Sequence, residues 1–184
     1  MDAPDRAAPY SYGEFCANAW KAGNLLRHYG VRPDAAVAVL IGPKEPGPDD
    51  DPGRLGTAAD PLVAVLGGAA LGGTVDLTHP EPIDERAVVM PSAWLDRFEV
   101  APGCSRLAWG GPPDDPSVSQ FERELWSENP IEPPGLIAPE DPLLRIDGET
   151  YSHGKLLGAA SSVADDWGLD AGDTVVLDAS LADP

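Results

Sequence analysis

The run Leu143-Leu144-Arg145-Ile146 has the apolar character of a buried strand. Ser152-His153-Gly154-Lys155-Leu156-Leu157 reads as the start of a helix, and only five residues separate the two. A passage from strand to helix is where α/β proteins often grip phosphate. Backbone amides of a glycine-rich loop and of the helix amino terminus converge there on an anion. The intervening Asp147-Gly148-Glu149-Thr150-Tyr151 contains no such loop. Asp147-Gly148 suits a tight hairpin turn, because glycine accepts positive φ, and the carboxylates of Asp147 and Glu149 would repel phosphate. Gly154-Lys155 lacks the glycine loop that must precede a phosphate-binding lysine.

The other chemistry-bearing residues have structural explanations. His28, His79 and His153 are far apart and show no metal-ligand spacing. They read as a helix-surface, a loop and a first-turn histidine. Cys16 and Cys104 show neither metal nor disulfide spacing, as isolated buried thiols in a reducing cytosol would. Ser11 and Ser152 read as helix caps without a His/Asp partner for nucleophilic work. The five tryptophans have no interleaved basic residues, so they suit core or subdomain contacts better than a base-stacking platform. No residue is assigned a catalytic, cofactor-binding or metal-binding role.

Composition narrows the function classes. The 184 residues carry 20 Asp and 11 Glu against 9 Arg and only Lys21, Lys44 and Lys155, a net charge of −19. The acids are dispersed, recurring at Asp34, Asp49 to Asp51, Asp114-Asp115, Asp165-Asp166, Asp170 and Asp173. Nucleic acid is disfavoured as a partner, because a phosphate backbone needs Lys or Arg to displace its counterions. The favoured reading is a solvated surface adapted to high salt, since at 1 M salt the Debye length is ~3 Å and self-repulsion fades. A basic partner is the alternative. No apolar run reaches the ~18 residues of a membrane span. The acidic Met1-Asp2-Ala3-Pro4-Asp5 lacks a signal-peptide pattern, and the expected location is the cytoplasm.

The elements that must position these residues follow from periodicity. Ser11-x-x-Glu14 is a capping box. It opens a helix carrying Phe15, Ala19, Ala22, Leu25, Leu26 and Tyr29 and ending near Gly30. Strands are expected at Ala36 to Ile41, Thr74 to Leu77, Ala87 to Met90, Ser105 to Trp109, Leu143 to Ile146 and Thr174 to Leu177. Helices are expected from a cap at Asp60 through Leu71, from Pro91 to Phe98, over Phe121 to Trp126, and from His153 to Trp167. An acidic loop at 42–57 and a proline-rich connector at 127–141 separate them. The alternation predicts an α/β fold with a largely parallel sheet and flanking helices.

An internal repeat organises the chain. Tyr10-Ser11-Tyr12-Gly13 recurs as Tyr151-Ser152-His153-Gly154. Each copy leads through a helix to a glycine, Gly30 or Gly168, and to an apolar run seven residues later, at Val37 or Val175. Two related α/β subdomains are implied, the first over 1–141 and the beginning of a second over 142–184.

Several stretches resemble the ANL superfamily of adenylate-forming enzymes, which includes acyl-CoA synthetases and peptide-synthetase adenylation domains. Ser11-Tyr12-Gly13-Glu14-Phe15 resembles the family's T-Y-x-E-L helix start. Gly30-Val31-Arg32-Pro33-Asp34 resembles its G-V-x-x-G-D turn, and Val37-Ala38-Val39-Leu40 its V-A-V-L strand. Val63 to Gly73 is similar to its A-x-L-G-A-x-x-x-G-A helix. Asp141-Pro142 matches the D-P before its phosphate-loop strand, and Ser152 to Leu157 looks like the T-H-x-N-L of the helix after that loop. Gly168-Leu169, Gly172-Asp173 and Val175 fit the next element.

The departures qualify what the resemblance implies. The family's phosphate loop, [Y/F]-[T/S]-S-G-[S/T]-T-G-x-P-K-G, has no counterpart at residues 147–151, and its Y-G-x-T-E motif and catalytic lysine are expected beyond residue 184. The resemblance therefore implies a degenerate, non-catalytic acyl-CoA synthetase-like protein that acts as an interaction or regulatory module, with no cofactor. The alternative is the amino-terminal piece of an ATP- and magnesium-dependent acyl-CoA ligase, completed by another chain. A broken reading frame is a third reading. The apolar strand at 174–178 would be an unfinished edge, open to self-association or a protein partner.

Overall fold

In the computed structural model the residues described are 10–42, 50, 59–78 and 81–175. Helix α1 spans Tyr12–His28, strand β1 Ala36–Val39, helix α2 Asp60–Ala70, β2 Thr74–Asp76, β3 Ala87–Pro91, β4 Ser105–Trp109, β5 Ser119–Gln120, α3 Phe121–Ser127, β6 Pro142–Ile146, β7 Glu149–Ser152 and α4 His153–Trp167. The strands form one seven-stranded sheet in the order β5-β4-β3-β1-β2-β6-β7. Every neighbouring pair is parallel except the β6–β7 hairpin. The expected α/β architecture is therefore the observed one.

Residues paired across parallel strands share a face of the sheet. On one face Val37, Val39, Val75, Val89 and Leu107 pack with Ala22, Leu25 and Leu26 of α1, Val63 and Ala64 of α2, and Phe121 and Leu125 of α3. On the other, Ala38, Leu40, Val88 and Met90 pack with Ile83 and Trp94. Both faces of the central strands are covered, which explains their continuous apolar runs. Helices α1 and α2 cross closely. A Cβ on Gly67 would lie 2.5 Å from Ala22 Cβ and 2.8 Å from Gly23 N, so glycine at this crossing lets the two backbones meet.

The Ser11 capping box is present, with the Ser11 side chain accepting from Glu14 N and Glu14 accepting from Ser11 N at 2.9 Å. Gly30, with φ 88°, follows the helix end as expected. The second repeat behaves alike at its start, where Ser152 Oγ accepts from Lys155 N.

Other expectations need correction. Asp60 is the first residue of α2 rather than its cap; Ala59 holds the cap position and makes no side-chain bond there. The helix expected over Pro91 to Phe98 is a single tight turn, Ser92–Trp94, because Pro91 still belongs to β3 and Trp94 is drawn into the core. Strands β5 and β7 were not foreseen. Thr174 and Val175 have no strand pairing, and the remainder of the 174–178 edge lies outside the described residues, as do all of the 42–57 loop except Gly42 and Asp50.

Candidate functional site

The junction singled out in the sequence is a hairpin. Asp147 and Gly148 both take positive φ, 49° and 79°, the requirement of a two-residue turn whose twist matches the strands it joins. Glycine meets that requirement without strain, and aspartate is among the few side chains that tolerate it. Ile146 then pairs with Glu149, Arg145 with Thr150, and Pro142 with Ser152. The reversal has a consequence for chemistry. Helix α4 begins opposite the amino-terminal residue of β6 and not at the strand's carboxyl end, where open α/β sheets hold their ligands.

The first-turn amides of α4 are already engaged. His153 N donates to Asp141 O at 3.0 Å and Gly154 N to Pro139 O at 2.7 Å, while Lys155 N donates to Ser152 Oγ at 3.3 Å. These are the donors that would otherwise offer an anion site. Gly154 is required for this contact, since a Cβ there would sit 2.9 Å from Pro139 O. The Lys155 ammonium of α4 lies 4.3 Å from the centroid of the Tyr151 ring of β7, a cation–π contact across the strand–helix junction.

At the carboxyl ends of β2 and β6 the polar groups satisfy one another. Arg145 Nη1 donates to Asp76 Oδ2 at 2.9 Å, and Asp76 is 1% exposed. Thr78 N donates to Asp76 Oδ1 at 2.8 Å, and Asp147 N to Thr78 Oγ1. Sequence reading passed over this cluster. Its signal was a charged residue inside each of two apolar runs, Val75-Asp76-Leu77 and Leu144-Arg145-Ile146.

Nearby Glu85 is also buried, and its Oε2 has no hydrogen-bond partner among the described residues. Burial raises its pKa, and the neighbouring carboxylates Asp76 and Asp84 add to the rise. The Cys104 thiol is pushed up to about 11 by burial first, and then by Glu85 and Asp84. A thiol so protonated is no nucleophile near neutral pH.

The histidines do not converge. His28 Nδ1 lies 2.8 Å from Glu128 Oε1 at the surface, and His79 lies outside the described residues. His153 has a buried Nε2 with no hydrogen-bond partner among the described residues, and its pKa is lowered by burial against the opposing pull of Asp141. Among the described residues no group of His, Cys, Asp and Glu is placed to hold a metal ion. Surface clefts among the described residues lie elsewhere. One of about 300 Å³ is lined by Tyr10, Glu14, Asn18, Lys21, Glu122 and Trp126 among others. Another, of about 400 Å³, lies beside Arg27, His28 and Glu128. Neither lining includes a residue of the β6–β7 turn.

No protein-family model matches the chain, and no curated protein sequence matches it. Solved structures do. A nonribosomal peptide synthetase, FmoA3, superposes with a TM-score of 0.69 at 17% identity, over 96% of this chain and 18% of that one. An acyl-CoA synthetase from Brucella canis gives 0.68 at 14% identity, over 94% of this chain and 33% of that one. A benzoate CoA ligase from Burkholderia xenovorans LB400 gives 0.60 at 20% identity, over 83% of this chain and 31% of that one. The chain thus spans a third or less of these three proteins. It has the α/β fold of one part of the adenylate-forming enzymes of the ANL superfamily.

Proposed function

We propose that the protein is a non-catalytic relative of the adenylate-forming enzymes that serves as an interaction or regulatory module. The observation that carries this reading is the engagement of the α4 first-turn amides by Asp141 O, Pro139 O and Ser152 Oγ. The turn at the carboxyl end of β6 adds Asp147 and the adjoining Glu149, whose negative charge opposes a triphosphate. These groups are a poor match for ATP. The net charge of −19 supports a surface adapted to molar salt and opposes nucleic acid as a partner. Among the described residues no helix is long and apolar enough to cross a membrane. A cytoplasmic location belongs to the same proposal.

The test is pyrophosphate exchange. The protein, ATP, magnesium and a panel of carboxylic acids are mixed in molar salt. The expected result is exchange at the no-enzyme background; robust exchange by the chain alone overturns the proposal.

A second reading is the amino-terminal piece of an ATP-dependent acyl-CoA ligase completed by another chain. The absence of any buried residue along α4 favours it, because that helix lacks the covering layer that α1 has.

A further inference from the structure

The cleft of about 400 Å³ beside the last turn of α1 has two walls of different chemistry. One is α1 itself, where Asn24, Arg27 and His28 stand three and four residues apart and share a face. The other is the connector after α3, with Glu128, Ile131 and Glu132. Asn24 is 8% exposed. Its Nδ2 donates to Trp20 O at 3.1 Å and to Ile131 O at 2.7 Å. Both neighbours are carbonyls, so the nitrogen must face them, and both of its hydrogens are committed. Oδ1 is left as an acceptor that takes no hydrogen bond among the described residues, and it is not sealed from the cleft.

The charges around that oxygen are incompletely matched. His28 and Glu128 pair with each other at 2.8 Å. Arg27 is half-buried, yet its guanidinium meets no carboxylate among the described residues, in a chain with 31 acidic side chains. Glu132, on the facing wall, meets no cation among them either. A ligand that completes this set offers a carboxylate to Arg27, one N–H to Asn24 and a cation to Glu132. A simple anion does not suit it, because the negative end of the α1 dipole and the two connector carboxylates oppose uncompensated negative charge. A free ammonium brings three donors to the one open amide oxygen, whereas a peptide amide brings one.

We propose that this cleft holds the carboxyl terminus of a partner protein whose last residue is lysine or arginine. The terminal carboxylate pairs with Arg27, the amide N–H of the last residue donates to Asn24 Oδ1, and the basic side chain meets Glu132. Arginine suits a planar carboxylate because its N–H groups form a matching fork, and a terminal carboxylate is a recurring handle in peptide recognition. This inference rests on the reading of the chain as an interaction module and names the surface and the chemistry of its partner.

The probe is the peptide glycyl-glycyl-alanyl-lysine, labelled with fluorescein at its amino end and carrying a free carboxylate. It is titrated with the full chain by fluorescence anisotropy, at the lowest salt that preserves the circular dichroism seen in molar salt. Three changes to the probe leave the protein untouched. A carboxamide end should weaken binding by about 10-fold or more, the scale of a charge-assisted hydrogen bond. An ester in place of the last amide, or glutamate in place of lysine, should weaken it by about 5-fold or more. Arg27→Gln, with circular dichroism unchanged, should bring the carboxylate and carboxamide probes to the same affinity. Glu132→Gln should do the same for the lysine and glutamate probes. No binding of the parent probe, equal binding of the parent and any altered probe, or affinities untouched by either substitution overturns the proposal. So does displacement by free lysine at the concentrations at which unlabelled peptide displaces, since a free amino acid would then be the occupant. Pyrophosphate exchange on the same samples reports separately on the non-catalytic reading, so either idea can fail alone.

Discussion

Asp76 and Arg145 face each other across the β2–β6 pair, with Arg145 Nη1 2.9 Å from Asp76 Oδ2. The two partners differ in burial. The Asp76 side chain is 1% exposed and that of Arg145 39%. Removing the arginine would leave a buried carboxylate that, among the described residues, keeps the Thr78 amide as its hydrogen-bond donor. Arg145→Met should therefore cost about 2–4 kcal/mol, below the upper range for buried pairs because one partner reaches solvent. Urea denaturation at constant salt measures it. The double change Asp76→Asn with Arg145→Met should cost less than Arg145→Met alone; a larger loss would show that the ion pair is not what holds β6 to β2.

Two glycines in α4 make a matched pair. A Cβ at Gly154 would meet Pro139 O at 2.9 Å, whereas nothing lies within 4 Å of a Cβ at Gly158. Gly158→Ala should stabilise the helix by about 0.5–1 kcal/mol through propensity alone. Gly154→Ala should forfeit that gain and speed amide exchange at residues 153–157. Equal stabilisation by both changes would mean that the connector does not hold the helix start.

His153 links this anchor to pH. Burial lowers its pKa against the raising influence of Asp141. A histidine whose folded pKa lies below its unfolded value contributes stability that is present above the unfolded value and lost as pH falls through the folded one. Amide protection factors over 138–157, corrected for the intrinsic pH dependence of exchange, should fall as pH drops from about 7.5 to about 5, below the ordinary histidine range. His153→Phe should flatten that dependence; an unchanged profile in the variant would exclude His153 as its source.

The charge makes a prediction about salt. Dispersed carboxylates repel one another over about 10 Å at 0.1 M salt and about 3 Å at 1 M. The melting temperature should rise steadily with sodium chloride over that interval. The rise should be about as large with potassium chloride, because general screening and not a bound ion is responsible. A melting temperature indifferent to salt would remove the argument for a salt-adapted surface.

Much of the molecule could be read from local pattern. The Ser11 box, the Gly30 turn and the apolar runs at β1, β3 and β4 are determined by neighbours in sequence, because capping, positive φ and two-sided burial each leave a residue signature; the run at β6 is a strand too, but of it only Ile146 is buried. The Asp147-Gly148 turn belongs to this group. Strand β5 does not: Ser119-Gln120 has no strand-forming character and is a strand only because the edge of β4 offers it partners. The tight turn at Ser92–Trp94 was likewise decided by burial of Trp94 in the core.

The same division runs through the candidate site. Sequence alone determined that a phosphate-type loop is absent between Ile146 and Ser152, since loop chemistry is a matter of which residues are present. Tertiary structure decided where α4 starts and what its amides bind. It brought Pro139 and Asp141 to the helix amino terminus and set Arg145 against Asp76, 69 positions away. Hydrogen bonds and ion pairs between distant residues depend on how strands are ordered in the sheet, and that order is fixed by packing of the whole chain and not by any local run of residues.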